Sequence, residues 1–197
     1  MSSASHAPEA VTPSPGVLEW FYGVLFRPRE VFSTWPLERA QGPAALAVLI
    51  VAAIGGYTSA GAGAGAVMLG FFTWLGWLVL AWFMLTGLVF VIGRIIRPQG
   101  EFLTLLSAVG LSLLPLIFSG PLAAVAAWGA FGTAIAVLGQ LVLFIWTLRL
   151  LLAALKGVMG LSTGQAILAL VVAEVMLAVV PWMLFALGLM SIALAVS

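Results

Sequence analysis

The sequence predicts an all-α integral membrane protein, a five-helix transmembrane bundle preceded by short interfacial helices. Three observations carry that prediction. Hydrophobic residues make up 64% of the chain and charged residues 7%, where a soluble domain carries about a quarter charged. Between residues 43 and 196 the apolar sequence divides into stretches of spanning length, each near the ~20 helical residues that ~30 Å of hydrocarbon demands. All seven Lys and Arg residues can be placed on one side of those stretches, as the positive-inside rule requires.

Residues 1–16, MSSASHAPEAVTPSPG, hold no basic cluster and no apolar run, so they lack the parts of a secretory signal and read as a disordered tail. Residues 17–41 form an interfacial helical segment. VLEWFYGVLFR reaches only about 16 Å as a helix, and Trp20, Phe21, Tyr22 and Phe26 are of the aromatic types that favour the headgroup region. Pro28 opens a second short helix in RPREVFSTW.

Residues 42–197 hold the five-span membrane domain, with spans near 43–63, 67–92, 102–124, 131–155 and 165–190. The first is rich in small residues, and the pairs Gly55/Ser59 and Gly61/Gly65 have the spacing that lets helices approach closely in lipid, here within one monomer. A short turn near Gly65 leads to the second, which carries Trp74, Trp77 and Trp82. The connector GRIIRPQGE precedes the third, which Pro115 and then Pro121 interrupt. Trp128 is an interfacial anchor before the fourth, which ends with Arg149 and Lys156. KGVMGLSTG leads to the fifth, with Glu174 and Pro181 inside it.

Orientation follows from charge. Arg27, Arg29, Arg39, Arg94, Arg97, Arg149 and Lys156 all fall on the amino-terminal side of the membrane. The positive-inside rule then puts the amino terminus in the cytoplasm and the carboxyl terminus opposite; in a bacterium the membrane would be the cell inner membrane.

Several segments resemble the Yip family, multi-spanning proteins that interact with Ypt/Rab GTPases. RPREVFSTW resembles the proline-containing helix before the first span of prokaryotic members. GEFLTLLSAVGLSLLP resembles the family's third span, with a Leu-Pro near its middle. IWTLRLLLAALKGVMGLSTGQAILAL resembles the end of the fourth span, a basic connector and the start of the fifth. The resemblance runs from about residue 18 and implies a five-helix bundle with a cytoplasmic amino terminus. GTPase binding is not carried over: the Asp-Leu-Tyr-Gly-Pro type motif of eukaryotic relatives is missing, and Leu37 and Gly42-Pro43 are its nearest remnants.

Among residues able to carry chemistry, Glu174 stands out, about 14 Å into the fifth span and close to the midplane. A charged side chain there costs about 2.5–3.5 kcal/mol, so an intramembrane polar pair with Arg149 is expected, structural more than functional. Pro115 and Pro181 are expected kinks, and Pro115 leaves the carbonyl of Leu111 without its helical partner, for Ser112, Ser107 or a neighbouring helix to satisfy. Gln140 and Thr147 are expected to hydrogen-bond between helices. Arg27, Arg29, Arg39, Arg94, Arg97 and Lys156 form a cytoplasmic basic surface suited to lipid headgroups or a protein partner.

Enzyme readings lack parts. There is no cysteine, one histidine, His6, in the tail, and no glycine-lysine phosphate loop, so no catalytic, metal or cofactor site is expected. Ser162 and Lys156 share a connector, a pairing common in polar loops. Nothing resembles a nucleic-acid reader. Two readings result. The first is a non-catalytic Yip-type membrane protein that organises a membrane protein complex or lipid environment through its cytoplasmic connectors. Its partners would be membrane lipids, a membrane or cytoplasmic protein, or a second copy of itself. The alternative is a small transporter or ion-coupled permease using Glu174, Arg149 and the kinked third span.

Overall fold

The structure, a computed structural model, describes residues 15–59 and 63–196, with side chains up to Val179. Among these residues every regular element is helical. Two short helices, α1 (Val17–Phe26) and α2 (Pro28–Thr34), come first, and a 3₁₀ turn (Leu37–Arg39) leads into the remaining helices. These are α3 (Gln41–Ser59), α4 (Ala64–Ile96), α5 (Phe102–Ser112), α6 (Ser119–Ala126), α7 (Ala130–Met159) and α8 (Thr163–Val196). Four stretches are long and apolar enough to cross a membrane: α3, α4, residues 102–126 as one broken span, and α7. The described side chains of α8 form a further, shorter apolar stretch to Val179.

Glycines end the long helices. Gly63, Gly100, Gly129 and Gly160 all adopt positive φ at connectors, and Gly160 caps α7 in the left-handed conformation at φ 63°, where a β-carbon would be strained.

The broken span is the hub. Of its most apolar window 56% is buried, against a third or less for the other three spans, and α5 packs against α3, α4 and α7. Pro115 does not kink a continuous helix. A 3₁₀ stretch (Leu114–Phe118) takes up the defect and stacks on α3 and α7 before α6 resumes the crossing. The nearby serines do not repair the break as expected, because each bonds back one turn: Ser112 Oγ donates to the Ala108 carbonyl at 2.7 Å and Ser107 Oγ to that of Leu103 at 3.0 Å. Pro181 lies within α8, which runs unbroken from Thr163 to Val196; its side chain, the 1–14 part of the tail and Gly61 lie outside the described residues.

Helices in lipid gain no hydrophobic drive toward one another, so close contact must come from shape. At Gly56 the backbones of α3 and α4 approach so nearly that a β-carbon would sit 2.5 Å from the Cα of Phe71. One helical turn further on, Trp74 Nε1 donates to Ser59 Oγ at 2.7 Å. Trp82 crosses from α4 to α5, its indole N–H donating to the Leu106 carbonyl at 2.8 Å over the bare surface of Gly110.

The amino-terminal helices fold into a hairpin packed on this bundle. Trp20, Val24, Val31 and Phe32 are buried in one cluster with Ala108, Leu111, Leu150 and Ala154, and Trp20 meets Trp35 edge-on at 4.9 Å. Trp20 is therefore a core residue, not the headgroup anchor its type suggested. The exposed row of α1 is Leu18, Tyr22 and Phe26, one residue per turn, which gives the hairpin an apolar outer stripe. Phe32 of α2 is seated on α7 at Gly157, where a β-carbon would overlap the Phe32 carbonyl.

This seating generates a contrast. Gly157→Ala should destabilise the protein by about 1–3 kcal/mol through overpacking. Gly76→Ala, in α4 where a β-carbon meets nothing within 4 Å, should be neutral or stabilising by up to about 1 kcal/mol. Thermal unfolding of the two purified variants would test this; equal effects would remove the proposed role of the Gly157 contact.

Candidate functional site: a basic groove at one end of the bundle

Five positions on one face of α7 follow helical spacing: Arg149, Leu152, Ala153, Lys156 and Gly157. All five line a single open groove of about 890 Å³. The hairpin supplies its other wall, with Phe26, Arg27, Arg29, Glu30 and Ser33, and Thr163 of α8 closes the rim. Four cations from elements some 120 residues apart in sequence thus converge on one space. Lys156 Nζ donates to Thr163 Oγ1 at 2.8 Å, which fixes it at the rim. Arg27 Nη1 lies 3.9 Å from Glu30 Oε2, the one ion pair among the described residues, with side chains 66% and 53% exposed. So open a pair contributes little to stability, and it leaves Arg29 and Arg149 without a carboxylate partner.

The remaining cations belong to the same end of the molecule but not to the groove. Arg94 lies over the ring of Phe90, 5.5 Å from its centroid. Arg97 and Gln99 reach the neighbourhood of Gly160, and Gly100 abuts the Val158 carbonyl, so the α4–α5 and α7–α8 connectors lie side by side. Arg39 ends the 3₁₀ turn that precedes α3. One end of the bundle therefore gathers the connectors and the hairpin.

Depth along α7 is readable from length. Its 30 residues reach about 45 Å, some 15 Å more than the hydrocarbon requires. Taking exposed Trp128 as the anchor at the opposite interface would start the overhang close to Arg149. On that register the groove would lie at the headgroup level, with its apolar floor at the edge of the hydrocarbon.

Glu174 and Arg149 do not meet. The reason is the face presented: α8 packs more on α4 than on α7, burying Ala166, Leu170 and Ala173 in a cluster with Val89 of α4 and Leu151, Leu155 and Met159 of α7. Glu174 falls on the outward face of α8 with exposed Ile167 and Val171, while Arg149 turns toward the hairpin. Counted along the two helices, both lie about 15–16 Å from their shared connector.

Other sequence candidates resolve individually. Ser162 and Gln165 cap α8 reciprocally, the Gln165 N–H donating to Ser162 Oγ at 3.3 Å and the Ser162 N–H to Gln165 Oε1 at 3.0 Å, a capping box. Ser162 is thereby committed to a structural bond, and Lys156 bonds to Thr163 instead. Thr147 is buried with its hydroxyl unpartnered, unlike the interhelical donor expected. Gln140 lines a second cavity of about 430 Å³ toward the opposite end, with Thr58, Trp74, Leu116, Ser119 and Thr133. That cavity touches the broken span but holds no ionisable side chain and does not include Arg149 or Glu174. Among the described residues the buried polar side chains are Thr86, Ser107, Ser112 and Thr147, none of them charged. Reasoning from sequence missed the convergence of Arg149 with the hairpin; the i, i+7 spacing of Arg149 and Lys156 was its available signal.

A sequence model of the Yip1 domain matches residues 22–192 of the chain. No curated protein and no solved structure matches it.

The separation of Glu174 from Arg149 predicts additivity. In a double-mutant cycle with Arg149→Gln and Glu174→Gln, the coupling should stay below about 0.5 kcal/mol. A buried pair would instead lose about 3–5 kcal/mol on removal of one partner. Unfolding of the four proteins in a neutral detergent measures the cycle, and a coupling of that larger size would overturn the placement.

Proposed function

Because the chain belongs to the Yip1 domain family, we propose that it is a non-catalytic multi-pass membrane protein. In this reading it organises a membrane protein complex or a local lipid environment through the connectors at its basic end. The observation that carries the reading is the division of charge: the basic groove and both basic connectors share one end, while the described bundle interior holds no ionisable side chain. A permease needs polar groups along a path, and the two groups best suited to one face away from each other. The reading takes α8 as a fifth span, the basic end as cytoplasmic by the positive-inside rule, and residues 17–41 as an interfacial unit. Arg94 and Arg97, beside the α7–α8 connector, are the assigned contacts for a protein partner.

Two experiments test it. Since the chain has no cysteine, single substitutions report sidedness without background. A membrane-impermeant thiol reagent added outside intact cells should label Gly129→Cys and Ser197→Cys but not Ser33→Cys; labelling of Ser33→Cys alone would invert the assignment, and protection of Ser197→Cys would remove the fifth span. Affinity purification from native membranes into nanodiscs should retain a stoichiometric protein partner that Arg94→Ala/Arg97→Ala loses. Failure of that double variant to change what co-purifies would sink the partner role of these residues.

A further inference from the structure

The groove between the hairpin and α7 has a composition that a lipid surface alone does not explain. Its cations are not spread over the basic end; four of the seven in the chain face one cavity. With Arg27, Arg29, Arg149 and Lys156 against Glu30, the lining carries a formal charge of +4 − 1 = +3. Glu30 engages Arg27, and Lys156 is oriented by a neutral hydroxyl, Thr163. Arg29 and Arg149 are left with no carboxylate partner in the groove, and a guanidinium's fork of donors matches phosphate oxygens.

Phosphate alone is not what the space fits. Between Arg149 and Lys156, which lie about 10 Å apart along α7, the same face presents Leu152 and Ala153, and Phe26 stands at the opposite wall. Phe26 is also the last residue of the exposed apolar row Leu18, Tyr22, Phe26, so the groove continues into a surface suited to the hydrocarbon edge. A volume of about 890 Å³ is in the range of small-molecule sites, about 300–1,000 Å³, and far exceeds an inorganic ion. An occupant needs one anionic head and an apolar continuation at the headgroup level.

We propose that this groove is a binding site for one anionic glycerophospholipid, its phosphate held between Arg29 of α2 and Arg149 and Lys156 of α7. Its acyl chains run past Phe26 and Leu152 into the bilayer. The assignment rests on the membrane-organising reading and names its lipid, and it uses residues apart from those assigned to a protein partner.

The test uses the full chain, equilibrated with vesicles of phosphatidylcholine alone or mixed with phosphatidylglycerol, extracted into neutral detergent and weighed intact by native mass spectrometry. The wild-type chain should retain one phosphatidylglycerol in preference to phosphatidylcholine. Arg29→Gln/Arg149→Gln should weaken that retention about tenfold or more. Arg39→Gln/Arg94→Gln, with the same net charge, should retain it as wild type does. Equal loss in both double variants would reduce the effect to general surface charge and overturn the site, as would no loss in either. Displacement by millimolar inorganic phosphate would show a free-anion site and overturn the lipid assignment. If the glutamine variant fails to fold, a photoactivatable phosphatidylglycerol analogue on the wild-type chain decides: cross-links confined to α1, α2 and α7 support the site, and cross-links spread over the other spans reject it. Loss of the lipid site with the protein partner still captured would leave the broader reading standing.

Discussion

Close approach of helix backbones at glycine is the constraint on which this structure depends. In water, apolar faces alone would drive helices together; in lipid they do not, because the solvent is as apolar as the side chains. Contact must be gained through shape and through the few hydrogen bonds available. Gly56 lets α3 meet the backbone of α4 at Phe71, Gly110 accommodates Trp82 between α4 and α5, and Gly157 seats Phe32 of the hairpin on α7. Each admits a larger group from the facing element. The Trp82 and Trp74 indoles then add a directed hydrogen bond at two of these interfaces, where the alternative is an unsatisfied donor in hydrocarbon.

The hub follows from the same rule. A span broken by proline is tolerable in a bilayer only where protein surrounds the break. Pro115 lies in a 3₁₀ turn, itself buried, between α3 and α7. The least regular backbone in the bundle is consequently its best-packed span. The price is specificity: the neighbours of this span must carry small surfaces, which the alanines of α3 and α7 provide.

Much of the fold was legible because spans are a matter of length and hydropathy. The predicted third and fourth spans, 102–124 and 131–155, differ from the helices 102–126 and 130–159 by a few residues. Neighbour choice was far less legible. The apolar residues of α7 and α8 fall all round each helix, so no stripe distinguishes a face toward protein from a face toward lipid. A short connector made α7 and α8 look like principal partners; they do pack, but α8 packs more on α4. The two helices do meet, but Glu174 falls on the face of α8 that this contact leaves exposed. Trp20 was opaque for another reason: a tryptophan suits both an interface and a core, and its burial beside Ala108 and Leu111 distinguishes them.

The groove links the two halves of the molecule in a way neither does alone. Its walls are the hairpin and α7, so an anion held by Arg29 and Arg149 bridges elements otherwise joined here by apolar packing at Phe32 and Gly157. Four cations drawn together repel one another, and that repulsion opposes the docking that apolar contact favours. A bound phosphate reverses the sign of the effect, because a ligand that binds the docked arrangement stabilises it in proportion to its occupancy. The hairpin is then held most firmly in a leaflet rich in anionic lipid and more loosely in a neutral one. A protein that presents its basic connectors beside such a hairpin couples the shape of its surface to the lipid around it, with no chemistry required of the bundle.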